Sequence, residues 1–512
     1  MLPQSDDAVN MLATRAHSSE PSVANPLIGL LDGLEFDDLL PEEYAEYRPL
    51  VRDALGFFLE RLSKERAAEV IADQLRLAAS TSTAVRLVHL LSRCPTLHKL
   101  GQVIARDPRL APELRVRLQR LESLPGGTVD SEVRATIRRA IGTTPGVAVA
   151  PRAMAEASVA VVIPFTWRQG SGSAPEQGVL KVLKPGVADR LEDELAIWSS
   201  LGSFLDERCG HYGLPALDYR EVIDGVSRRL RHEVQLEHEQ AHLAQAARLY
   251  DGVADVRIPR LLPFCQADVS AMERVDGSKI TEAGSTDRCR AAEIAVSALI
   301  ARPFLSSDPS APFHADPHPG NLHLTPGGQL AIFDWSLVAR LGKTERGGLV
   351  DVLLGALTLN ESNVCRALGA MSSRRPAESE LRRLVARAIR QLRWGERPGF
   401  HWLLGLLDRA AGEARLRLSE DLVLFRKAVH TLSGVLSELS TPSCIDRVLL
   451  ESGWMHYLRG DRDAALRHGP PAGLVAGSAD ARLLQLWCTA PATVARFWLG
   501  AWRDVTGFNT AG

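Results

Sequence analysis

Residues 313–336 read FHADPHPGNLHLTPGGQLAIFDWS, and this stretch limits what the 512-residue chain can fold into more tightly than any other. It places one carboxylate (Asp316), one amide (Asn321) and a second carboxylate (Asp334) close together in sequence. Pro317 and Pro319 fix φ and remove two backbone donors, so residues 316–321 are expected as a stiff irregular loop rather than a helix. Leu322 and Leu324, then Leu330, Ile332 and Phe333, flank Thr325, Pro326, Gly327 and Gly328, which predicts two short strands joined by a turn. Asp334 then falls where the second strand ends. Taken alone, DPHPGN reads as a surface turn, because Asp, Pro, Gly and Asn are the turn formers. With His314 before it and Asp334 after the hairpin, the set suits phosphoryl transfer. That chemistry needs a carboxylate to orient or deprotonate the acceptor, and an amide oxygen plus a second carboxylate to hold the metal ions that bridge the phosphates.

The length leaves room for two or three domains and a sizeable core. A net charge of −2 gives no basic field of the kind that nucleic acid attracts. Seven cysteines, at 94, 209, 265, 289, 365, 444 and 488, show no C-x-x-C pairing. That pattern argues for reduced thiols in a cytoplasmic compartment, and against a disulfide framework or a zinc site. No run of 18 apolar residues suggests a membrane-spanning helix. Lysine is scarce, 7 against 53 arginines, so each lysine position is informative.

Residues 1–35 are polar, without periodicity or an apolar h-region, and are expected to be a mobile leader. Residues 36–150 form a helical extension, with apolar residues at three and four spacing over 47–62, 67–77, 83–91 and 112–121 and a short helix over 133–141. The texture changes at Pro151. Residues 153–165 are small and β-branched, residues 178–185 (GVLKVLKP) form a strand carrying Lys181, and a Gly/Ser-rich loop joins them. Lysine is disfavoured in strands. In an arginine-rich chain, Lys181 suggests selection for a compact ammonium suited to the α/β-phosphates of a nucleotide. The competing reading is an edge-strand lysine that guards against aggregation.

Residues 228–249 read as one long charged helix in which Glu233, Glu237 and Glu239 offer carboxylates. Residues 257–263 and 268–274 read as strands. Residues 272–277 (MERVDG) read as a strand entering a turn, an inter-lobe hinge at which the backbone of Glu273 and Val275 would meet adenine. Candidate C-lobe helices cover 347–359, 378–394, 400–411 and 422–439. These readings divide the chain into an N-lobe over 151–275, a C-lobe over 276–440 and a helical tail over 441–512. In that tail Val494, Phe497, Trp498, Ala501, Trp502 and Val505 share one helical face. Such a face either packs on the C-lobe or lies in a membrane interface.

The order H-x-D, four residues, Asn, hairpin, Asp is that of protein kinases. The chain resembles more closely the UbiB-type atypical kinases, a protein-kinase-like group linked to ubiquinone and other isoprenoid quinone or lipid pathways, over residues 91–439. Lys99, Leu100, Gly101 and Gln102 match the K-x-G-Q signature of that family. Ala155, Glu156, Ala157 and Ser158 lie where it has an alanine-rich loop, Glu233 opens its E-x-D position, residues 313–321 match its catalytic loop, and Asp334, Trp335 and Ser336 stand in for D-F-G.

The resemblance implies an α+β, two-lobed protein-kinase-like fold with an N-terminal helical extension and a helical C-terminal tail. It implies an ATPase or phosphotransferase that uses ATP and Mg²⁺. Lys181 would hold the α/β-phosphates and Glu239 would aim it. Ala155, Ala157 and Ser158 would cover the nucleotide, Asp316 would orient the acceptor, and Asn321 and Asp334 would hold metal. Lys99 and Gln102, with Glu233 as a natural partner for the lysine, would gate the pocket. Partners would be ATP and an isoprenoid or lipid-like molecule or a biosynthetic protein, with peripheral contact at the inner face of the membrane. Three residues depart from the family pattern. Glu156 puts negative charge in the loop over the phosphates unless a cation offsets it. Gln235 is a weaker Mg²⁺ ligand than the E-x-D aspartate, and Ser336 restricts the backbone where glycine is usual. These departures keep a nucleotide-binding pseudokinase open as an alternative, and the shared H-x-D-x-x-x-x-N keeps a small-molecule phosphotransferase of the aminoglycoside or choline type open as another.

Overall fold

The computed structural model describes residues 40–449, apart from 41, 79, 106–109, 111, 120–123, 126, 169–173, 215–218, 285–286 and 442–444. The expected leader, half of the Gly/Ser-rich loop and the amphipathic tail helix lie outside the described residues. The chain forms two compact units, residues 1–236 with 264–271, and residues 237–263 with 272–512.

The first unit opens with α1 (Arg48–Glu60), α2 (Lys64–Leu75), α3 (Thr83–Arg93), α4 (Pro95–Ile104) and α5 (Pro112–Gln119). Ser63 starts α2 by accepting the amide of Arg66, and Pro95 sits at the first position of α4, where its missing N–H costs nothing. A two-residue strand, β1 (Leu124–Pro125), and α6 (Ser131–Ile141) follow, the latter capped by Asp130. A six-stranded sheet then brings together β1, β2 (Ala148–Val149), β3 (Ala155–Glu156), β4 (Ala160–Trp167), β5 (Glu176–Leu183) and the strand Val269–Glu273. Helices α7 (Val187–His211) and α8 (Tyr219–Glu233) complete the unit. Phe58, Leu59, Leu118, Leu191 and Leu195 form the heart of its helical core.

Residues 228–249 are not one helix. The chain breaks after α8, and α9 (Leu236–Leu249) starts afresh beyond a turn in which the Gln235 amide donates to the His232 carbonyl. Val234 is drawn into apolar contacts and Leu236 is fully buried, so the packing of these two side chains overrides the helical propensity of their charged neighbours. The break leaves Glu233 in the first unit and Glu239 in the second.

The second unit contains α9, β6 (Val256–Arg257), the end of β7 (Val269–Glu273), β8 (Ser278–Lys279) and α10 (Arg288–Val296). It continues through β9 (Ser310–His314), β10 (Leu322–Leu324), β11 (Leu330–Ile332) and β12 (Val338–Gly342). Of the strand expected over 257–263, only Arg257 joins a sheet, while Leu261 makes an isolated bridge to Met272. The expected hairpin is present, with Leu322 opposite Ile332 and Leu324 opposite Leu330. Five helices follow: α11 (Lys343–Leu357), α12 (Glu361–Met371), α13 (Glu378–Arg393), α14 (Phe400–Glu413) and α15 (Glu420–Glu438). The core centres on Phe313, Leu322, Ile332, Leu406 and Phe425. Among the described residues, no helix is long and apolar enough to cross a membrane.

Gly277 enters β8 directly against β10, where a Cβ would sit 2.5 Å from the Leu324 carbonyl oxygen. Backbone cannot swing aside as a flexible side chain can. Gly277→Ala is expected to lower the stability of the second unit by about 1–3 kcal/mol, read from denaturant melts, because overpacking of a fixed neighbour costs this much.

Candidate functional site

In the first unit, register decides which side chains share a face. Lys181 lies opposite Val162, and Val162 lies opposite Ala155, so these three side chains point to one side of the sheet. Lys181 is half-buried between the fully buried Leu180 and Val182, on the strand and not at its frayed end. Glu156 lies opposite Val161, and Val161 opposite Val182, which sends the Glu156 side chain to the other face. There its carboxylate meets Lys184 Nζ at 2.8 Å. The charge expected to disturb the loop over the phosphates is therefore turned away from Lys181 and neutralised. A cavity of about 710 Å³ lined by Glu156, Val161, Lys184 and His98 opens on this same face, away from the Lys181 side. Ala157 and Ser158 form the tight turn into β4, closed by the Ala157 amide donating to the Ala160 carbonyl.

Helix α4 carries the K-L-G-Q residues. Lys99 Nζ is 2.6 Å from Glu233 Oε1 at the end of α8, with both side chains partly exposed, and Gln102 is buried. The helix is anchored by a residue that sequence reasoning passed over. Glu194, on α7 and 1% exposed, accepts hydrogen bonds from Thr96 N (2.9 Å) and Thr96 Oγ1 (2.7 Å), and Arg66 lies 3.7 Å away. Burial pushes its carboxyl up to about 7, against the pull of Thr96 and Arg66. The same burial, with the Glu194 charge, raises the Cys94 thiol. No local pattern marks Glu194, because the cap it supplies lies 98 residues away in sequence.

In the second unit His314, 1% exposed, joins both ends of the candidate catalytic stretch. Its Nδ1 accepts the Asp316 amide at 3.2 Å, which places the proton on Nε2, and Nε2 lies 3.0 Å from the carbonyls of Phe333 and Asp334. Burial lowers its pKa, so the ring stays neutral. The loop ends in one 3₁₀ turn, Pro319–Asn321, so the last part of the expected irregular segment is helical. Asn321 Nδ2 donates to the Asp316 carbonyl at 3.2 Å, leaving Oδ1 as the atom that can accept a metal. The Phe333 amide donates to the Asn321 carbonyl at 2.9 Å, so Asn321 and Asp334 sit at the base of one hairpin. Asp334 has φ of 52° and accepts the Ser336 amide at 3.3 Å. A left-handed aspartate costs about 1 kcal/mol, and such strain clusters at functional sites.

Trp335, 2% exposed, packs edge-on to His314 at 4.9 Å between centroids and against Tyr250, and its carbonyl lies 3.1 Å from His242 Nδ1 on α9. Glu239 is buried on α9, whereas Lys181 belongs to the first unit. At the expected hinge the Glu273 amide is already committed to the Arg260 carbonyl at 2.8 Å, and its carboxylate pairs with Arg257. This takes one of the expected adenine donors out of play. Val275 is half-buried. Asp316 Oδ1 meets Lys427 Nζ at 3.1 Å, a partner the sequence reading did not assign. Among the described residues no cluster of three or more His, Cys, Asp or Glu forms a metal cage. Two oxygen donors without a cage match Mg²⁺, which is usually bound by one or two carboxylates together with substrate phosphates.

Residues 146–368 match the ABC1 atypical kinase-like domain. Over that stretch the chain is similar to the ABC1 atypical kinase-like family. Its fold is accordingly α+β and kinase-like. The probable protein kinase UbiB of Xanthomonas campestris is 28% identical over 280 residues, 52% of this chain and 46% of its own. The ACTIVITY OF BC1 COMPLEX KINASE 3 protein of Arabidopsis thaliana is 26% identical over 275 residues, covering 52% of this chain and 38% of its own. The UbiB of Actinobacillus pleuropneumoniae is 23% identical over 370 residues, 67% and 65% of the two chains. The chain thus spans between 38% and 65% of the length of these relatives. A solved complex of Rv3197 with erythromycin, from Mycobacterium tuberculosis, aligns over 87% of this chain and 98% of that one, at 16% identity and a TM-score of 0.44.

Two buried groups, one in each unit, respond to pH in opposite senses. His314 is depressed below its ordinary 6.5, so its contribution is present above pH 6.5 and is lost as pH falls through and below that value. Glu194 is raised from 4.5 to about 7, so its contribution is present below pH 4.5 and is lost as pH rises toward 7, on the order of 3 kcal/mol in all. Denaturant melts at pH 4.5, 6 and 8 are expected to show Glu194→Gln flattening the fall in first-unit stability between pH 4.5 and 7. The acid loss in the second unit remains in that variant.

Proposed function

We propose that this chain binds ATP with Mg²⁺ and transfers or hydrolyses its terminal phosphoryl group. One observation carries the reading: a single neutral imidazole, His314, fixes Asp316 and Asp334 together, with Asn321 at the base of the same hairpin. That trio is the acceptor-orienting and metal-holding half of phosphoryl-transfer machinery. Lys181 supplies the compact cation for the α/β-phosphates, with Ala155 on its own face of the sheet, and Glu239 is the carboxylate read as aiming it. Asn321 Oδ1 and the Asp334 carboxylate would hold Mg²⁺, which neutralises charge that develops on the phosphates. Asp316 orients the attacking hydroxyl or water and takes its proton.

Lys99, Gln102 and Glu233 are read as restraining access to the nucleotide. The relatives' names, kinases called UbiB and ACTIVITY OF BC1 COMPLEX KINASE, support the kinase class. A role in isoprenoid quinone or lipid metabolism follows from the resemblance alone. The turn of Glu156 away from Lys181 and its pairing with Lys184 weaken the case for a pseudokinase.

ADP release by purified protein with Mg-ATP tests the reading, run with and without anionic lipid vesicles beside Asp334→Ala. Turnover that the substitution lowers by about a hundredfold or more is expected, since metal-borne charge stabilisation contributes several kcal/mol. A rise with vesicles would point to a membrane-borne acceptor. Wild-type turnover equal to that of Asp334→Ala would sink the catalytic reading, and a melting temperature still raised by ATP would then select a nucleotide-binding pseudokinase.

A further inference from the structure

The second unit places a cation on the acceptor-orienting carboxylate from a helix far along the chain. Lys427 Nζ lies 3.1 Å from Asp316 Oδ1, with the lysine side chain 40% and the aspartate 22% exposed. The helix that delivers it is held firmly by other means. Phe425 is buried edge-on against Phe313 at 5.3 Å, one residue before His314, and packs parallel to Phe304 at 6.4 Å. Arg426 Nη1 is 2.8 Å and His430 Nε2 3.3 Å from the two oxygens of Asp408 on α14, and Asp421 accepts the Arg340 amide at 3.2 Å. The Asp316 Oδ1 atom is itself buried, but with the lysine 40% exposed the pair adds only about 0–1 kcal/mol to stability, so α15 does not need it to stay in place.

Residue choice points the same way. The chain uses arginine in 53 of its 60 basic positions, yet a lysine stands here. A guanidinium would clamp the carboxylate in a planar fork, whereas an ammonium with three rotatable donors can hold one oxygen and keep donors for another ligand. The loop 316–321 itself carries no Lys or Arg, only His318. The positive charge beside Asp316 therefore comes from outside the motif.

We propose that Lys427 is the positioning residue for Asp316, fixing its carboxylate toward the acceptor, a role that rests on the phosphoryl-transfer reading above. In that step an oxygen lone pair of the acceptor hydroxyl or water forms the new bond to the γ-phosphorus. The bond from phosphorus to the bridging oxygen breaks, its electron pair leaves with ADP, and the acceptor proton passes to Asp316.

The test compares ADP release by the full chain, Asp316→Ala, Lys427→Met, Lys427→Arg and Lys427→Ala with methylammonium added. Lys427→Met is expected to lower kcat by about ten- to a hundredfold, the loss that misplacing a catalytic group by about 1 Å brings, with KM for ATP changed less than about threefold. Lys427→Arg and saturating methylammonium on Lys427→Ala recover part of kcat, which a merely structural role would not do, and melts of all variants stay close to wild type. Wild-type turnover that depends on Asp316 but not on Lys427 overturns this proposal and leaves the functional reading standing. No turnover by the wild-type chain removes both.

Discussion

The second unit depends on the buried ring of His314. One imidazole in the interior makes hydrogen bonds to the backbone at both ends of the candidate catalytic stretch, accepting from the Asp316 amide and donating to the carbonyls of Phe333 and Asp334. Each such bond contributes about 0.5–1.5 kcal/mol net. Together they offset the cost of about 1 kcal/mol for holding Asp334 in a left-handed conformation. The ring works only when neutral, because a protonated Nδ1 would repel the amide it accepts from, and burial enforces that state. Trp335, packed edge-on to the same ring, seals it from water and extends the constraint to His242 on α9 and to Tyr250 just beyond it.

In the first unit the corresponding constraint is a carboxylate at the start of a helix. Glu194 replaces the cap that α4 lacks locally, since Pro95 opens the helix and Cys94 offers no oxygen. A buried carboxylate is costly, and the helix dipole, two Thr96 donors and Arg66 do not fully offset the loss of water, which is why it holds its proton up to about neutrality. The return is positional. The helix bearing Lys99 and Gln102 is fixed to α7, and with it the Lys99–Glu233 pair at the end of α8.

Much of this was legible in the sequence, for identifiable reasons. The hairpin over 322–332 and most helices declare themselves by periodicity and turn chemistry, which act within a few residues. The trio Asp316, Asn321 and Asp334 was legible because its spacing is local. What the sequence hid is tertiary. The break between α8 and α9 follows from where Val234 finds apolar neighbours and from the burial of Leu236, and α12, capped by Asn360, was not read as a helix. Glu156 looked adverse because sequence cannot say which face a two-residue strand presents, and a one-residue change of register would have reversed the answer. Glu194 and Lys427 act on partners 98 and 111 residues away, beyond any local pattern. For Lys427 the scarcity of lysine was the available signal.

That scarcity bears on how the chain handles phosphate and metal. Lys99, Lys184 and Lys427 each meet a carboxylate, on Glu233, Glu156 and Asp316, while Lys181 lies on the sheet face away from Glu156. Pairing of this kind spends the charge of these three lysines on orientation. Among the described residues no acidic cage gathers a metal. Under the proposed reading, neither nucleotide nor Mg²⁺ has a strong site of its own, and each completes the coordination of the other. Linkage then requires that Mg²⁺ raise the affinity for ATP by the same factor by which ATP raises the affinity for Mg²⁺. On that reading, the oxygens of Asn321 and Asp334 would favour a cation that already carries phosphate, so the chain would select the metal–nucleotide complex over either component.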